Sequence, residues 1–313
     1  MQYPDSPATF AQFREMFPDD DACIDWLAAW RWPGGFSCPA CGCREATRLR
    51  TRPLWQCRTC RAQTSVTAGT ALHRTKLPLV SWVFALWLVS RRKNSVSALQ
   101  LQRELGVAYR TAWLLLQKVR RTLAETGEYP LSEGVVEVDE AMVGGRSGRR
   151  GRRLGVGGAW IVVAVERLVR GKPGKKKYRA SGSARATVVG DTSRRTLMEF
   201  VTSNIAKGAT LASDAWTAYH SSSAEGYDHW PAVVDTPAMA DVVLPKTHLL
   251  VSNFKAWLIG TFHGVTRRYL GRYLDEFIYR FNRRARGEDI MGFVARRLLH
   301  AQHAPLVEVR ASC

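Results

Sequence analysis

Acidic side chains and long apolar runs are both scarce in this 313-residue sequence. The chain has 27 aspartates and glutamates against 46 lysines and arginines, which gives a net charge of +19. A surface this basic attracts phosphate polymers and binds them through the release of counterions. The charge balance therefore favours a nucleic-acid partner over an unspecialised basic protein.

Targeting and membrane signals are also missing. The opening MQYPDSPATFAQF has neither a basic n-region nor an apolar h-region, so we expect no secretory signal. The longest apolar run, LPLVSWVFALWLVS, is shorter than the roughly 20 residues that a membrane-spanning helix needs, so we expect a buried helix there. We therefore expect a cytoplasmic protein with no membrane partner, in which cysteines bind metal rather than form disulfides.

Four of the seven cysteines form two C-x-x-C pairs with 15 residues between the pairs. They are Cys38, Cys41, Cys57 and Cys60. Two such pairs present four thiolates in the tetrahedral arrangement that Zn²⁺ takes in structural sites. Because a segment of about 30 residues cannot bury a sufficient core, the metal is needed for folding. The spacing predicts a zinc ribbon over residues 36–66, with Cys43 as a spare thiol.

Helical patterns flank this segment. Residues 1–35 predict a short helical piece, and residues 67–130 predict helices interrupted by a turn at Gly106. A helix, a glycine-containing turn and a second helix form the outline of a helix-turn-helix. An αα-hairpin with solvated basic faces is the alternative, and Arg110 and Lys118 favour the DNA-binding interpretation.

From residue 133 the pattern changes to strands. VVEVDEAMV, AWIVVAVERLV and KYRASGSARATVVGD predict three antiparallel strands, and a later strand ends at Asp214 between helical segments. This order predicts an α+β or mixed α/β core over residues 131–300, followed by a tail over 301–313.

A glycine-rich basic connection, RSGRRGRR, joins two of the strands. It contains Arg149, Arg150 and Arg152. Such a dense cationic run repels itself without a counter-charge, so we expect these arginines to contact a phosphate backbone. A solvated hairpin loop is the alternative.

The stretch GVVEVDEAMVGG places Glu137, Asp139 and Glu140 in an otherwise apolar strand. An unpaired buried carboxylate is costly, so water, a basic side chain or a metal ion must compensate these charges. Side chains two apart on a strand share a face, so Glu137 and Asp139 point one way and Glu140 the other.

A second carboxylate, Asp214, favours a metal ion as the compensating group. If neighbouring strands bring Asp139 and Asp214 together, a hard cation such as Mg²⁺ or Mn²⁺ would relieve their repulsion. Paired ions of this kind activate a nucleophile and stabilise the leaving oxygen in displacement at phosphorus. A structural ion pair between Asp139 and an arginine is the alternative.

Several motifs follow one another in a specific order along residues 10–290. They are FPDDDACIDWLAAWRWPGGFSCPACG, the second C-x-x-C pair, VEVDEAMVGG, LASDAWTAY, SNFKAWLIGTFHGV and RYLDEFIYRFNRR. The ordered set resembles a family of bacterial insertion-sequence transposases, the IS1595 type. The resemblance implies an N-terminal zinc ribbon coupled to a DDE-type catalytic domain of ribonuclease-H-like fold.

The resemblance also implies roles for particular residues. Asp139 and Asp214 would be the first two metal-binding acids, and Asn253 in VSNFK would take the third position, where Glu is commoner. An asparagine supplies a neutral carbonyl oxygen, so it can ligate a hard cation without adding negative charge. Lys255 would contact DNA or the terminal phosphate.

Other titratable residues could complete the site. The reserve carboxylates are Asp191, Asp241 and Glu276. His248 and His263 lie near the same helical segment, and a histidine in such a place is more often structural or phosphate-contacting than a metal ligand.

The implied function is a DNA transposase that binds the terminal inverted repeats of its element. With Mg²⁺ or Mn²⁺ it would cleave a strand to free a 3′-hydroxyl and join that hydroxyl to target DNA, while Zn²⁺ would be structural. Cutting at two ends implies a homodimer or larger synaptic assembly on the nucleoid. The alternatives are a catalytically inactive or domesticated zinc-ribbon DNA-binding protein and a structure-selective nuclease of the same fold.

Overall fold

A computed structural model describes residues 4–49, 52–124, 129–144, 158–170, 178–214, 217–219, 222–223, 225–232, 243–284 and 289–311. The chain divides into two compact units, one formed by 1–123 with 287–312 and the other by 124–286. Within the described ranges, every helix is too short or too polar to cross a bilayer.

The described helices and strands are numbered here in chain order. The helices are α1 (Phe10–Met16), α2 (Asp20–Arg31), α3 (Leu79–Arg91), α4 (Ala98–Leu105), α5 (Tyr109–Arg121), α6 (Arg194–Asn204), α7 (Pro245–Phe262), α8 (Arg267–Arg283), α9 (Ile290–His300) and α10 (Leu306–Ala311). The strands are β1 (Ala46–Arg48), β2 (Leu54–Cys57), β3 (Gln63–Ser65), β4 (Val135–Val143), β5 (Ala159–Arg170), β6 (Tyr178–Val189), β7 (Thr210–Asp214) and β8 (Asp228–Ala232).

The first unit packs helices α2, α3 and α9 together. Asp19 starts α2 by accepting the N–H of Ala22 at 2.9 Å, and the apolar face of that helix is buried. On this face Trp30 lies against Phe293 of α9, with ring centroids 5.9 Å apart. Helix α9 therefore belongs to the first unit, whereas we had expected the catalytic domain to continue to residue 300. Its amphipathic pattern is local, and a local pattern does not identify the core that buries it.

The expected helix, turn and helix are present in the first unit. Helix α4 begins after Ser97, whose hydroxyl accepts the N–H of Gln100 at 3.2 Å. It ends at Gly106, which has a left-handed φ of +65°. Since side chains other than glycine are disfavoured in that region, this glycine sets the turn into α5.

The second unit is built on a five-stranded sheet of order β6-β5-β4-β7-β8. Strands β4, β5 and β6 are antiparallel, as predicted, whereas β7 pairs parallel with both β4 and β8. The sequence analysis missed β8, which contains Pro231. A proline lacks the N–H of a sheet ladder and is tolerated at an edge, which is where β8 lies.

Helices cover both faces of this sheet. Helix α6 packs on the face that includes Val136 and Val138 of β4. Helices α7 and α8 pack on the opposite face, against Ile161 and Val163 of β5. The alternation along β4 therefore directs Glu137 and Asp139 towards the α7 side. This mixed sheet between helices confirms the mixed α/β class that the sequence predicted.

Candidate active site and zinc ribbon

The four predicted zinc ligands come together in the first unit. Their sulfur atoms all lie within 4.8 Å of one another. Cys38 Sγ is 3.6 Å from Cys60 Sγ, and Cys41 Sγ is 3.6 Å from Cys57 Sγ. In a tetrahedral ion with Zn–S bonds of about 2.3 Å, the sulfur atoms would be roughly 3.8 Å apart. The donor set and its spacing therefore fit Zn²⁺.

The loop that follows Cys57 favours the thiolate form of this cysteine. The pKa of Cys57 is lowered to about 6, mainly by the backbone N–H of Cys60, against the opposing effect of burial. Cys43 lies outside the cluster, where its sulfur accepts the hydroxyl of Thr59 at 3.1 Å and the N–H of Glu45 at 3.4 Å. Cys43 is therefore not among the four clustered ligands.

The two predicted catalytic acids lie side by side in the second unit. Strands β4 and β7 pair in parallel as far as Glu137 and Ala212. Asp139 and Asp214 each lie two residues beyond that pair, level with the carboxyl end of β7 and on the same face of the sheet. The sheet topology thus joins two carboxylates that are 75 residues apart in the chain (214 minus 139).

Glu137 is not part of this pair, because a guanidinium and two backbone N–H groups already compensate its charge. Its side chain is fully buried and lies 3.1 Å from the guanidinium of Arg167. It also accepts the backbone N–H groups of Lys246 at 2.7 Å and Thr247 at 3.2 Å, in the first turn of α7. A carboxylate is favourable at a helix N-terminus, so Glu137 anchors α7 to β4.

Glu140 points to the other face of β4 and accepts the hydroxyl of Tyr219 at 2.9 Å. Burial raises the pKa of Glu140 to about 7, and the charges of Asp214 and Asp139 contribute to the rise. Three carboxylates therefore interact at one edge of the sheet. The sequence analysis assigned no role to Tyr219, whose only signal is its place in the LASDAWTAY motif.

Helix α7 brings His248, rather than Asn253, to the acidic pair. His248 Nε2 lies 3.4 Å from Asp139 Oδ2. Asn253 is exposed, and five residues of α-helix rotate it by about 140° from His248. Lys255 is half-buried and, seven residues after His248, returns to the same side of the helix. Lys255 therefore lies on the His248 side of α7 and Asn253 on another side, and the roles expected for both residues stay predictions.

The described reserve residues other than His248 have surroundings of their own. Asp191 accepts the N–H of Ser193 at 2.9 Å near the start of α6, and hydrogen bonds from this serine and Thr196 lower the pKa of its carboxyl. Glu276 is buried within α8. His263 is exposed at the far end of α7. Asp241 lies outside the described residues.

The ligand atoms of the acidic site are less tightly clustered than the cysteine sulfurs. Within the described part of the chain, only the cysteine cluster has three or more histidine, cysteine or carboxylate ligand atoms all within 4.8 Å. Asp139 and Asp214 nevertheless offer the oxygen atoms that Mg²⁺ and Mn²⁺ prefer, and Mg²⁺ keeps several waters when it binds through one or two carboxylates. The residues therefore fit a hydrated divalent ion.

The zinc-ribbon region and the second unit each match a known protein family. A transposase zinc-ribbon domain matches residues 18–63, which include all four clustered cysteines. An ISXO2-like transposase domain matches residues 131–282, which include Asp139, Asp214 and α7. The chain belongs to the IS1595-type transposases. No protein with a curated description matches it.

Membership of this transposase family implies DNA binding. The two residues of α5 that we expected to contact DNA, Arg110 and Lys118, differ in their surroundings. Arg110 is exposed in the first turn of α5, beside the exposed Tyr109. Lys118 instead donates to the carbonyl of Ala71 at 2.9 Å and lies over the ring of Trp82, and burial lowers the pKa of its ammonium. The structure thus places Lys118 in a packing role. Arg149, Arg150 and Arg152 lie outside the described residues.

Proposed function

We propose that this transposase binds the terminal inverted repeats of its element and catalyses metal-dependent strand cleavage and strand transfer at Asp139 and Asp214. The observation that carries the proposal is the placement of these two carboxylates two residues beyond the last paired residues, Glu137 and Ala212, of two neighbouring parallel strands. Paired divalent ions that these carboxylates help to hold would activate the attacking oxygen and stabilise the leaving oxygen at phosphorus. The same site would serve water in cleavage and a 3′-hydroxyl in strand transfer.

The surrounding residues have supporting roles in this proposal. Glu137 holds the first turn of α7 against β4, so the helix keeps its position beside the acids. Lys255, on the site-facing side of α7, would bind a phosphate of the DNA strand. Tyr219 donates its hydroxyl to Glu140 and so stabilises this third carboxylate beside the two aspartates.

The first unit would recognise the repeats. Arg110 and Tyr109 begin the second helix of a helix-turn-helix, and in such motifs the first residues of the second helix contact base edges. The zinc ribbon would contribute a second DNA contact. We further propose a homodimer or larger synaptic assembly on the nucleoid, because two element ends must be cut together.

The test compares Asp139→Asn and Asp214→Asn with Asp228→Asn as a matched control. Asp228 is exposed and begins β8, at the opposite end of the parallel strands from Asp214. Repeat DNA taken from the flanks of the gene would be assayed for binding, for Mg²⁺-dependent cleavage and for joining. We expect the first two variants to bind DNA but not cut it, and the control to do both.

Other outcomes would change the assignment. Cleavage that persists in Asp139→Asn would remove this residue from the mechanism. Repeat binding by the wild-type protein without any metal-dependent cleavage would support an inactive or domesticated DNA-binding protein. Cutting of branched DNA without joining would support a structure-selective nuclease.

A further inference from the structure

We propose that Trp230 is a stacking platform for one unpaired base of the DNA strand, next to the phosphate that is cleaved. This inference rests on the proposed function and adds a substrate contact to it. Trp230 lies in the middle of β8, the edge strand beside β7, and is 51% exposed. Every other tryptophan in the described part of the chain is buried or half-buried, so the exposure of this indole calls for an explanation.

The register of the sheet places Trp230 on the face that carries the two acids. Trp230 pairs with Ala212 of β7, and Ala212 pairs with Glu137 of β4. Residues paired across neighbouring strands point to the same face, so Trp230 shares the face of Glu137. Asp139 and Asp214 are each two residues further along their strands and therefore lie on that face as well.

Trp230 is also close enough to Asp214 for both to contact one nucleotide. Asp214 pairs with Ala232, which is two residues after Trp230. With about 4.8 Å between strands and roughly 3.3 Å of rise per residue, the Cα atoms of Trp230 and Asp214 are about 8 Å apart. A base is joined to its phosphate through one ribose, so a phosphate bound beside Asp214 would bring its base within reach of the indole.

The protein holds Trp230 in place through the strand that carries it. Tyr227, immediately before β8, is buried, and its hydroxyl donates to the carbonyl of Ile205 at 3.2 Å. All five residues of β8 pair with β7. Pro231 follows Trp230, and a proline restricts the residue before it to extended backbone conformations. The backbone of Trp230 is therefore preorganised, which lowers the entropic cost of binding a base.

An aromatic contact suits the charge of this part of the sheet. Glu140 interacts electrostatically with Asp139 and Asp214, and all three carboxylates repel the phosphates of DNA when they are ionised. A base is uncharged, so these carboxylates do not oppose its stacking on an indole. Within a duplex the neighbouring bases cover each face of a base. Only a base that has left the stack can therefore use this surface.

A strand of a second chain is the alternative occupant of this edge, and two observations disfavour it. An added strand would pair with the backbone of β8 in the plane of the sheet, whereas Trp230 projects from its face. Pro231 is in addition a residue that discourages strand addition at a sheet edge. The exposed face of the indole is therefore better matched to a base.

The test combines a protein variant with a DNA variant, using the full chain with zinc in the ribbon. Repeat DNA would carry an abasic analogue at each of the two nucleotides that share the cleaved phosphate, in turn. On intact DNA, Trp230→Ala should bind repeats normally, because the first unit supplies the repeat contacts, but lower the single-turnover cleavage rate about 5- to 150-fold. Trp230→Phe, which keeps an aromatic ring, should retain part of the rate.

The abasic DNA separates stacking from a structural role. Without the stacked base, Trp230→Ala and the wild-type protein should cleave at the same rate, because the variant has no contact left to lose. Tyr129→Ala is the matched control. Tyr129 is 76% exposed, and its carbonyl accepts the guanidinium of Arg185 of β6, at the opposite edge of the sheet from β8. This variant should cleave both kinds of DNA like the wild type.

A second measurement needs no cleavage. Repeat DNA with the fluorescent base 2-aminopurine at the stacked position would be bound by Asp139→Asn, with and without Trp230→Ala. Stacking on the indole should quench the fluorescence of this base, and removal of the indole should restore it. The signal therefore reports the contact even in a protein that does not cut.

The outcomes separate this inference from the proposed function. If Trp230→Ala slows cleavage of intact and abasic DNA equally, or leaves both the cleavage rate and the 2-aminopurine signal unchanged, the inference is overturned and the acid pair stands. If the wild-type protein does not cut repeat DNA, the proposed function fails. The 2-aminopurine signal would still support the stacking contact if it depends on Trp230 and overturn it if it does not.

Discussion

The cysteine cluster and the acidic edge (Asp139, Asp214 and Glu140) both bring together side chains that could bind a cation, but they are built on different scales. In the zinc ribbon, each pair of ligands is three residues apart, and two short loops set their geometry. At the acidic edge, the carboxylates come from β4 and β7, and His248 arrives on a helix 109 residues after Asp139 (248 minus 139). The first site is a property of a short segment, whereas the second is a property of a folded sheet.

This difference determines whether a site forms before or together with the binding of its ion. The ribbon has a small core around Phe36, Cys38 and Cys57, so the metal has to supply much of its stability. The acidic edge rests on a sheet with large apolar cores on both faces. The sheet therefore holds Asp139 and Asp214 near each other before any ion binds.

Zinc removal should have the largest effect on local stability, and it should affect the zinc ribbon but not the sheet. We expect chelation, or Cys57→Ser, to abolish protection of residues 36–66 from hydrogen exchange, because structural zinc contributes about 10–16 kcal/mol in comparable small domains. The strands β4 and β5 should keep their protection. Hydrogen exchange read by mass spectrometry measures both regions in one sample.

Cys43→Ser is the matched control for this prediction. Cys43 lies outside the four-sulfur cluster, so the variant should retain one zinc per chain by native mass spectrometry. A variant that loses its zinc would make Cys43 a ligand. Loss of protection in β4 after chelation would contradict the independence of the acidic edge.

Removing the anchor of α7 should give the next largest effect. Glu137→Ala would remove the carboxylate partner of Arg167, which keeps the carbonyl of Val243, and would leave two helix N–H groups without their acceptor. Breaking a buried ion pair in this way costs about 3–5 kcal/mol of unfolding free energy. Urea unfolding of the sheet, followed by circular dichroism, measures the loss. Glu133→Ala, which removes an exposed carboxylate near the same strand, should change the stability by less than about 0.5 kcal/mol. Equal losses in the two variants would show that Glu137 does not anchor the helix.

The same contrast of scale explains which features were predictable from sequence. The cysteine spacing, the Gly106 turn, helix α3 and the three antiparallel strands are local patterns, and the structure confirms each of them. The pairing of β4 with β7 was stated only as a condition, because period-two alternation identifies a strand but not its neighbour. Sheet topology then confirmed the adjacency of Asp139 and Asp214.

Spacing alone did not predict which residue of α7 lies beside Asp139. His248 and Asn253 are five residues apart, and the choice between them depends on how α7 is rotated about its axis. That rotation follows from the contacts of Glu137 with the first turn of the helix, which join residues 109 positions apart. The role of α9 was unpredictable for the same reason, because an apolar stripe does not specify which core it joins.

Arg110 and Lys118 are both basic residues of α5, but only Arg110 is exposed. Comparing their alanine variants tests whether the exposed residue contacts DNA and the partly buried one only packs. Arg110→Ala should weaken repeat binding by about 1–3 kcal/mol if the side chain contacts a base. Lys118→Ala should leave repeat affinity and its salt dependence unchanged but lower thermal stability, because it removes the contacts with Ala71 and Trp82. Fluorescence anisotropy at several salt concentrations measures the affinities. Equal loss of affinity in both variants would contradict the packing role of Lys118.

The smallest effect should come from the turn between α4 and α5, which is as local as the zinc knuckles. A Cβ at Gly106 would meet no atom within 4 Å, so the cost of Gly106→Ala is confined to its φ of +65°. We expect this substitution to lower the opening free energy of α4 and α5 by about 1 kcal/mol, measured by hydrogen exchange. Gly34→Ala is the matched control, since Gly34 has equal space but no left-handed φ. A similar loss in both would mean that chain flexibility, rather than left-handed geometry, determines the cost. In that case the turn would not be fixed by Gly106, and even this local motif would depend on the surrounding helices.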